Sequence, residues 1–161
     1  MTENTRDADM NNLIKQLFHA EKWQERADAA RQLGFLNDGR AVNLMCTALK
    51  KEKDHMVINR IIEALGRIGN FKATVWIIEK LKEQIRGDNQ DKYRIITIIE
   101  SLMNIKDKRA LAYIGHFLTS EDEEVKALAQ EAFDAIEPNW QEILEKEKKE
   151  KSIQDVFKSN L

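Results

Sequence analysis

Three histidines, one cysteine and 28 acidic residues are the side chains of this 161-residue chain that could support acid–base, nucleophilic or metal chemistry. His19, His55 and His116 stand far apart, and none has a second His, Cys or carboxylate at the spacing that holds zinc. Cys46 lies beside the apolar position of Met45, with no histidine near it to take its proton. It reads as a small core residue. No serine sits in a G-x-S-x-G or S-x-x-K pattern, and the glycines form no phosphate loop. Carboxylate pairs are plentiful, but this many acids on helices pair by chance. The chemistry-bearing residues therefore imply no catalytic, metal or cofactor site. They leave contact with another macromolecule as the function to look for.

The bulk composition narrows the partner. Hydrophobic residues make up 42% of the chain, enough for a core, and charged residues 34%. The formal net charge of -2 gives no bulk attraction to nucleic acid or to an anionic membrane. One proline allows long uninterrupted helices. One cysteine excludes an intrachain disulfide and fits a reducing compartment. The longest apolar run is five residues, 110–114, where a membrane helix needs roughly 20. The first residues, MTENTRDADM, are polar and unlike a secretory signal. The expectation is a soluble cytoplasmic protein, a monomer or weak oligomer.

The elements that must position any functional surface are given by internal repetition. ARQLGFLNDGRAVNLMCTAL, IEALGRIGNFKATVWIIEKL and IESLMNIKDKRALAYIGHFL align without gaps, and QEAFDAIEPNWQEILEKEKK follows the same frame. Leu33, Leu65, Leu102 and Phe133 mark the register, 32, 37 and 31 residues apart. Each unit splits into two helices. Helix A carries Leu13, Met45, Ile77 and Ile114 at one position and Leu17, Leu49, Leu81 and Leu118 four residues on; helix B carries Ala29, Ile61, Ile98 and Ala129. These spacings make one stripe of a 3.6-residue helix, not the alternation of a strand. Asp38, Asn70 and Asp107 align as caps before helix A, and Asp54, Asp91 and Asp122 near the start of helix B. Ser120 and Glu123 have capping-box spacing, and Pro138 suits a first turn. The predicted helices are 9–20, 22–36, 39–50, 54–68, 71–86, 91–105, 108–118, 121–136 and 138–150. Residues 1–8 are expected to be disordered. Glu145 and Lys149 make the last helix a polar end cap. Ile153, Val156 and Phe157 in the tail 151–161 are expected to dock on the last repeat or on a partner, unless the tail is frayed.

The unit resembles the HEAT repeat, particularly the short phycobilisome-lyase type. The matching residues are Glu25-Arg26, Ala29-Ala30, Leu33-Gly34, Asn37-Asp38 and Arg40-Ala41 in the first repeat. The later repeats keep Leu65-Gly66, Lys72-Ala73 and Arg109-Ala110. Ile-Ile at 61–62 and 98–99 replaces the family's Ala-Ala, and Ile58 and Ile95 replace its Arg. The resemblance implies an all-α solenoid of four HEAT-like helix pairs plus a C-terminal capping helix. It implies no particular activity.

On that fold the exposed side of the B helices is concave. Arg31, Glu63, Glu100 and Glu131 recur at one position of that side, with Asn59 and Arg67 one turn either side of Glu63, and Asn104 one turn after Glu100. The reading favoured is a non-enzymatic protein-binding scaffold or adaptor whose acidic row steers a basic segment of a partner protein. The alternatives are an accessory or assembly factor of an enzyme, such as a bilin-lyase-like subunit, and a nucleic-acid-binding protein using Arg40, Lys72 and Arg109. Those three cations are read as facing the negative C-terminal ends of the B helices. Trp23 either covers the N-terminal end of the core or anchors a partner, and Phe157 is a second candidate anchor. Trp76 and Tyr113 share a helix A position with Leu44 and Leu144 and are read as packing between repeats.

Overall fold

The computed structural model describes residues 2–147 and 153–159, and among these the chain has no strand. The α-helices are α1 (Glu3–His19), α2 (Trp23–Leu36), α3 (Val42–Lys51), α4 (His55–Ile68), α5 (Thr74–Arg86), α6 (Lys92–Ile105), α7 (Leu111–Ile114), α8 (Glu123–Ile136), α9 (Trp140–Glu147) and α10 (Ile153–Ser159). Short 3-10 turns at Gly39–Ala41, Phe71–Ala73 and Lys108–Ala110 lead into α3, α5 and α7, and a longer one, Gly115–Thr119, continues α7. Helices α1, α3, α5 and α7 are the A helices of four pairs; α2, α4, α6 and α8 are the B helices.

The caps explain these boundaries. Asp38, Asn70 and Asp107 accept from the backbone N–H groups of Arg40, Lys72 and Arg109. They satisfy donors that a helix start leaves free. Asp54, Asp91 and Asp122 do the same for α4, α6 and α8. The Ser120–Glu123 capping box does not form: Asp122 is the cap, and Ser120 Oγ accepts from the Asp122 N–H. At the other ends, Asn37, Gly69 and Lys106 share one repeat position with φ of 51, 71 and 59°, and reverse the chain out of α2, α4 and α6.

The apolar stripes meet as one core. Met45, Leu49, Ile77, Leu81 and Ile114 from the A helices, and Ala29, Ile61, Ile98 and Ala129 from the B helices, are at most 1% exposed. Successive B helices lie closer together than successive A helices. The cause is side-chain size: a Cβ on Gly34 would sit 2.9 Å from Ala64 Cα, and one on Gly66 2.6 Å from Ser101 Cα. The B backbones therefore touch while the A helices splay apart, so the stack curves with its B helices inside.

The N-terminal end departs from expectation. Helix α1 begins at Glu3, inside the stretch expected to be disordered. Arg6 donates to Leu36 O at 2.7 Å, and Asp7 pairs with Arg40 at 2.7 Å, so this stretch is tied to the end of α2. At the other end, residues 148–150 of the last predicted A helix, with Lys149, lie outside the described residues. Helix α9 sets Trp140, Ile143 and Leu144 only partly into the core. The tail helix α10 lies on α7 and the turn after it, with Val156 3% and Phe157 4% exposed. The Phe157 ring meets Phe133 at 5.2 Å, which meets Trp140 at 5.1 Å. Apolar docking of the tail, beyond the charge of α9, closes this end of the stack.

Candidate functional site

The concave face is built from one position of each B helix. Arg31, Glu100 and Glu131 are exposed there and Glu63 is half-buried. Glu63, Arg67, Glu100 and Asn104 converge on a groove of about 420 Å³ between α4 and α6. Gly66 and Ser101, the residues that bring these helices together, also line it. Small side chains at the contact make a low floor, and the longer polar ones around them become walls.

The charges in this groove are unequally committed. Arg60 Nη1 lies 2.7 Å from Glu63 Oε2, and Tyr93 Oη donates to Glu63 Oε1 at 3.1 Å. Arg60 is raised by that hydrogen bond; burial, then Glu63, raises the Tyr93 phenol. Arg31 Nη2 lies 2.8 Å from Asp28, whose carboxyl it lowers. Arg67 has no carboxylate partner among the described residues; its guanidinium stacks 4.5 Å above the Phe35 ring, with Arg31 at 5.7 Å. Glu100 and Glu131 form no ion pair among the described residues. The free carboxylates of the face are thus Glu100 and Glu131, and its free cation is Arg67.

Three expected positions are corrected. Asn59 is 4% exposed, turned inward to accept from Arg94 Nε, whose guanidinium also donates to His55 O at 3.2 Å. Arg94 occupies the core position of Val57 and Val125, and Asn59 answers its buried charge. Phe157 is a core residue of the docked tail and offers no exposed anchor. Trp76 and Leu44 do not pack between repeats: they are 36% and 47% exposed, because the A helices splay. Trp23 is 40% exposed at the start of α2, which leaves it open to a partner.

Sequence reasoning passed over four residues of the concave face: Phe35, Met56, Arg60 and Tyr93. Their signal is simple. Met56 and Tyr93 lie seven residues before Glu63 and Glu100, and Phe35 four after Arg31, so all share the same stripe.

No other chemistry gathers. No group of three or more His, Cys, Asp or Glu among the described residues is placed to hold a metal. All three histidines are exposed. Cys46 is 2% exposed, and burial pushes its thiol up to about 11. Arg40 and Arg109 pair with the capping residues Asp38 and Asp107, and Arg109 also donates to Phe71 O at 3.2 Å, so these two charges of the basic row are partnered within the chain. No helix among the described residues is long and apolar enough to cross a membrane.

Comparison with known proteins agrees with this geometry. No curated protein matches the sequence. A chain in the complex of CpcE and CpcF of phycocyanin lyase from Nostoc sp. PCC7120 superposes with a TM-score of 0.68 at 19% identity. The match covers 96% of this chain and 65% of that one, and the likeness is one of fold. A sequence model of HEAT repeats matches residues 10–94, more than half of the chain. By that match, and by its stacked A–B pairs, the chain belongs to the HEAT-repeat family.

Proposed function

We propose that the protein is a non-catalytic scaffold whose concave face binds an extended segment of another protein, with basic side chains of that segment on Glu100 and Glu131. One observation carries this reading: Glu63, Arg67, Glu100 and Asn104 line a single groove in which Glu100 keeps its charge unpaired. An exposed carboxylate adds little to stability. It is well placed to steer a partner and fix its register. Glu131 continues the row one repeat on, and the exposed rings of Phe35 and Tyr93 supply apolar contact beside it. The supporting test uses a lysine-rich peptide as probe, with backbone amide resonances followed by NMR. Binding should move the amides of α4 and α6 around the groove and weaken with salt. Changing Glu100 and Glu131 to Gln should lower affinity roughly two- to tenfold. Binding unaltered by the double change, or amide shifts confined to the A helices, would remove the proposal.

A second reading is an accessory subunit of a multi-chain enzyme. It draws on the fold likeness to a chain of the phycocyanin lyase complex and on the Phe35–Arg67 stack, which could hold a planar anionic group. Added bilin whose absorption band shifts in the wild type, but not in Phe35→Ala, would favour it.

A further inference from the structure

The outer face carries a feature that the concave reading leaves unexplained. Leu44, Trp76 and Tyr113 occupy one position of α3, α5 and α7, where a solvated helix face would be polar. Each aromatic ring is covered by a lysine from the preceding repeat. Lys50 Nζ lies 5.9 Å from the Trp76 ring centroid, and Lys82 Nζ 5.1 Å from that of Tyr113. Lys50 and Lys82 are themselves repeat equivalents, so the arrangement is one cation–aromatic unit used twice. Splaying of the A helices opens a groove beside each ring, about 330 Å³ at Trp76 and about 230 Å³ at Tyr113. The buried Ile78 and Ala112 lie in the second of these.

Most charges of these grooves are paired within the chain. Lys80 and Lys82 are paired with Glu83 and Glu79, and Arg109 with Asp107. Lys50, in the first groove, and Lys158, brought to the second by α10, have no ion-pair partner among the described residues. The unpaired charges lining these two grooves are the cations Lys50 and Lys158, whereas the concave face carries the unpaired carboxylates Glu100 and Glu131 beside the cation Arg67.

We propose that this outer face is a second, independent docking surface for an acidic segment of a partner protein. Two apolar side chains of the segment enter the grooves beside Trp76 and Tyr113, and its carboxylates meet Lys50 and Lys158. Helices one repeat apart set the two grooves about 10 Å from each other. That is about three residues of an extended chain or about seven of a helix. Glu79 and Glu83 stand in the same grooves, so discrete carboxylates fit better than a continuous anionic surface.

The test uses the whole chain and a fluorescein-labelled peptide of repeating Glu-Asp-Leu. Controls are its Gln-Asn-Leu counterpart and phosphatidylserine vesicles. Fluorescence anisotropy measures affinity, and the Trp76 indole N–H resonance reports the place of binding. The acidic peptide should bind, shift that resonance and weaken with salt. Lys50→Gln and Lys158→Gln should each lower affinity roughly two- to fivefold, since each removes one exposed, unpaired charge. Glu100→Gln with Glu131→Gln should leave it unchanged, which separates this surface from the concave one. The proposal is overturned if the neutral peptide binds equally well, if the lysine variants bind like wild type, or if the Trp76 resonance stays still. Vesicles that bind where the acidic peptide does not would also overturn it in favour of a lipid surface.

Discussion

Gly66→Ala adds one methyl group to α4 at its contact with α6. Its carbon would lie 2.6 Å from Ser101 Cα, Cβ and Oγ. Carbon atoms settle at about 3.5–4.0 Å, so the two helices must part by roughly 1 Å. Crowding of this kind costs about 1–3 kcal/mol. The buried Ser101 hydroxyl donates to Ile62 O at 3.1 Å, and disturbing that bond forfeits about 1 kcal/mol more. Alanine regains about 1 kcal/mol through its better helix propensity. The net effect is a loss of about 1–3 kcal/mol. At 2–4 °C for each kcal/mol, Tm should fall by roughly 2–12 °C. Gly34→Ala, whose methyl would meet Ala64 at 2.9 Å, should cost less. Thermal and urea unfolding of both variants, followed by far-UV circular dichroism, gives the comparison. A Gly66→Ala protein at least as stable as wild type would mean that helix propensity wins. The B helices would then not be in backbone contact, and the groove floor would not be as described.

Asn59→Ala should cost about 1.5–3 kcal/mol in urea unfolding, because it strips a hydrogen bond from a buried charged group. Adding Arg94→Val, the residue type of the same position in two other repeats, should restore part of that loss. Phe157→Ala should lower stability by up to about 3 kcal/mol and alter the emission of Trp140, which shares the Phe133 ring with it. Cys46 should resist thiol reagents at neutral pH until the protein unfolds. Burial holds its thiol at about 11 against an ordinary 9.0, so the folded state binds a proton that the unfolded state releases. Stability should accordingly decline as pH rises from 9.0 towards about 11, and Cys46→Ala should blunt that decline.

The fold was legible because the repeat shows each signal several times. Asp38, Asn70 and Asp107 align as caps and act as caps, and the aligned stripes of Met45, Ile77 and Ile114 are all buried. The ends lack that redundancy. Residues 3–8 continue α1 because Arg6 and Asp7 find partners thirty or so positions away, which no local pattern announces. The concave row was legible at Glu63, Glu100 and Arg67 from helical spacing alone. Asn59 was misplaced because its neighbour across the helix contact, Arg94, is a charge at a core position that Val fills in two other repeats. Trp76 and Leu44 were read as packing between repeats, as the partly buried Tyr113 does, because repetition tells which residues are equivalent, not how far apart their helices stand. That distance is set elsewhere, by Gly34 and Gly66.

The central claim, that the concave groove is a binding surface for another protein, is tested most directly by a photo-crosslinking residue at Asn104, with the exposed Gln90 in the α5–α6 loop as control. Illumination in native extract, followed by digestion and mass spectrometry, identifies the captured segment. A single lysine- or arginine-rich segment captured from position 104, and lost when Glu100 and Glu131 become Gln, is the result predicted. Capture from position 90 with none from position 104, or capture at 104 that survives the double change, would contradict it.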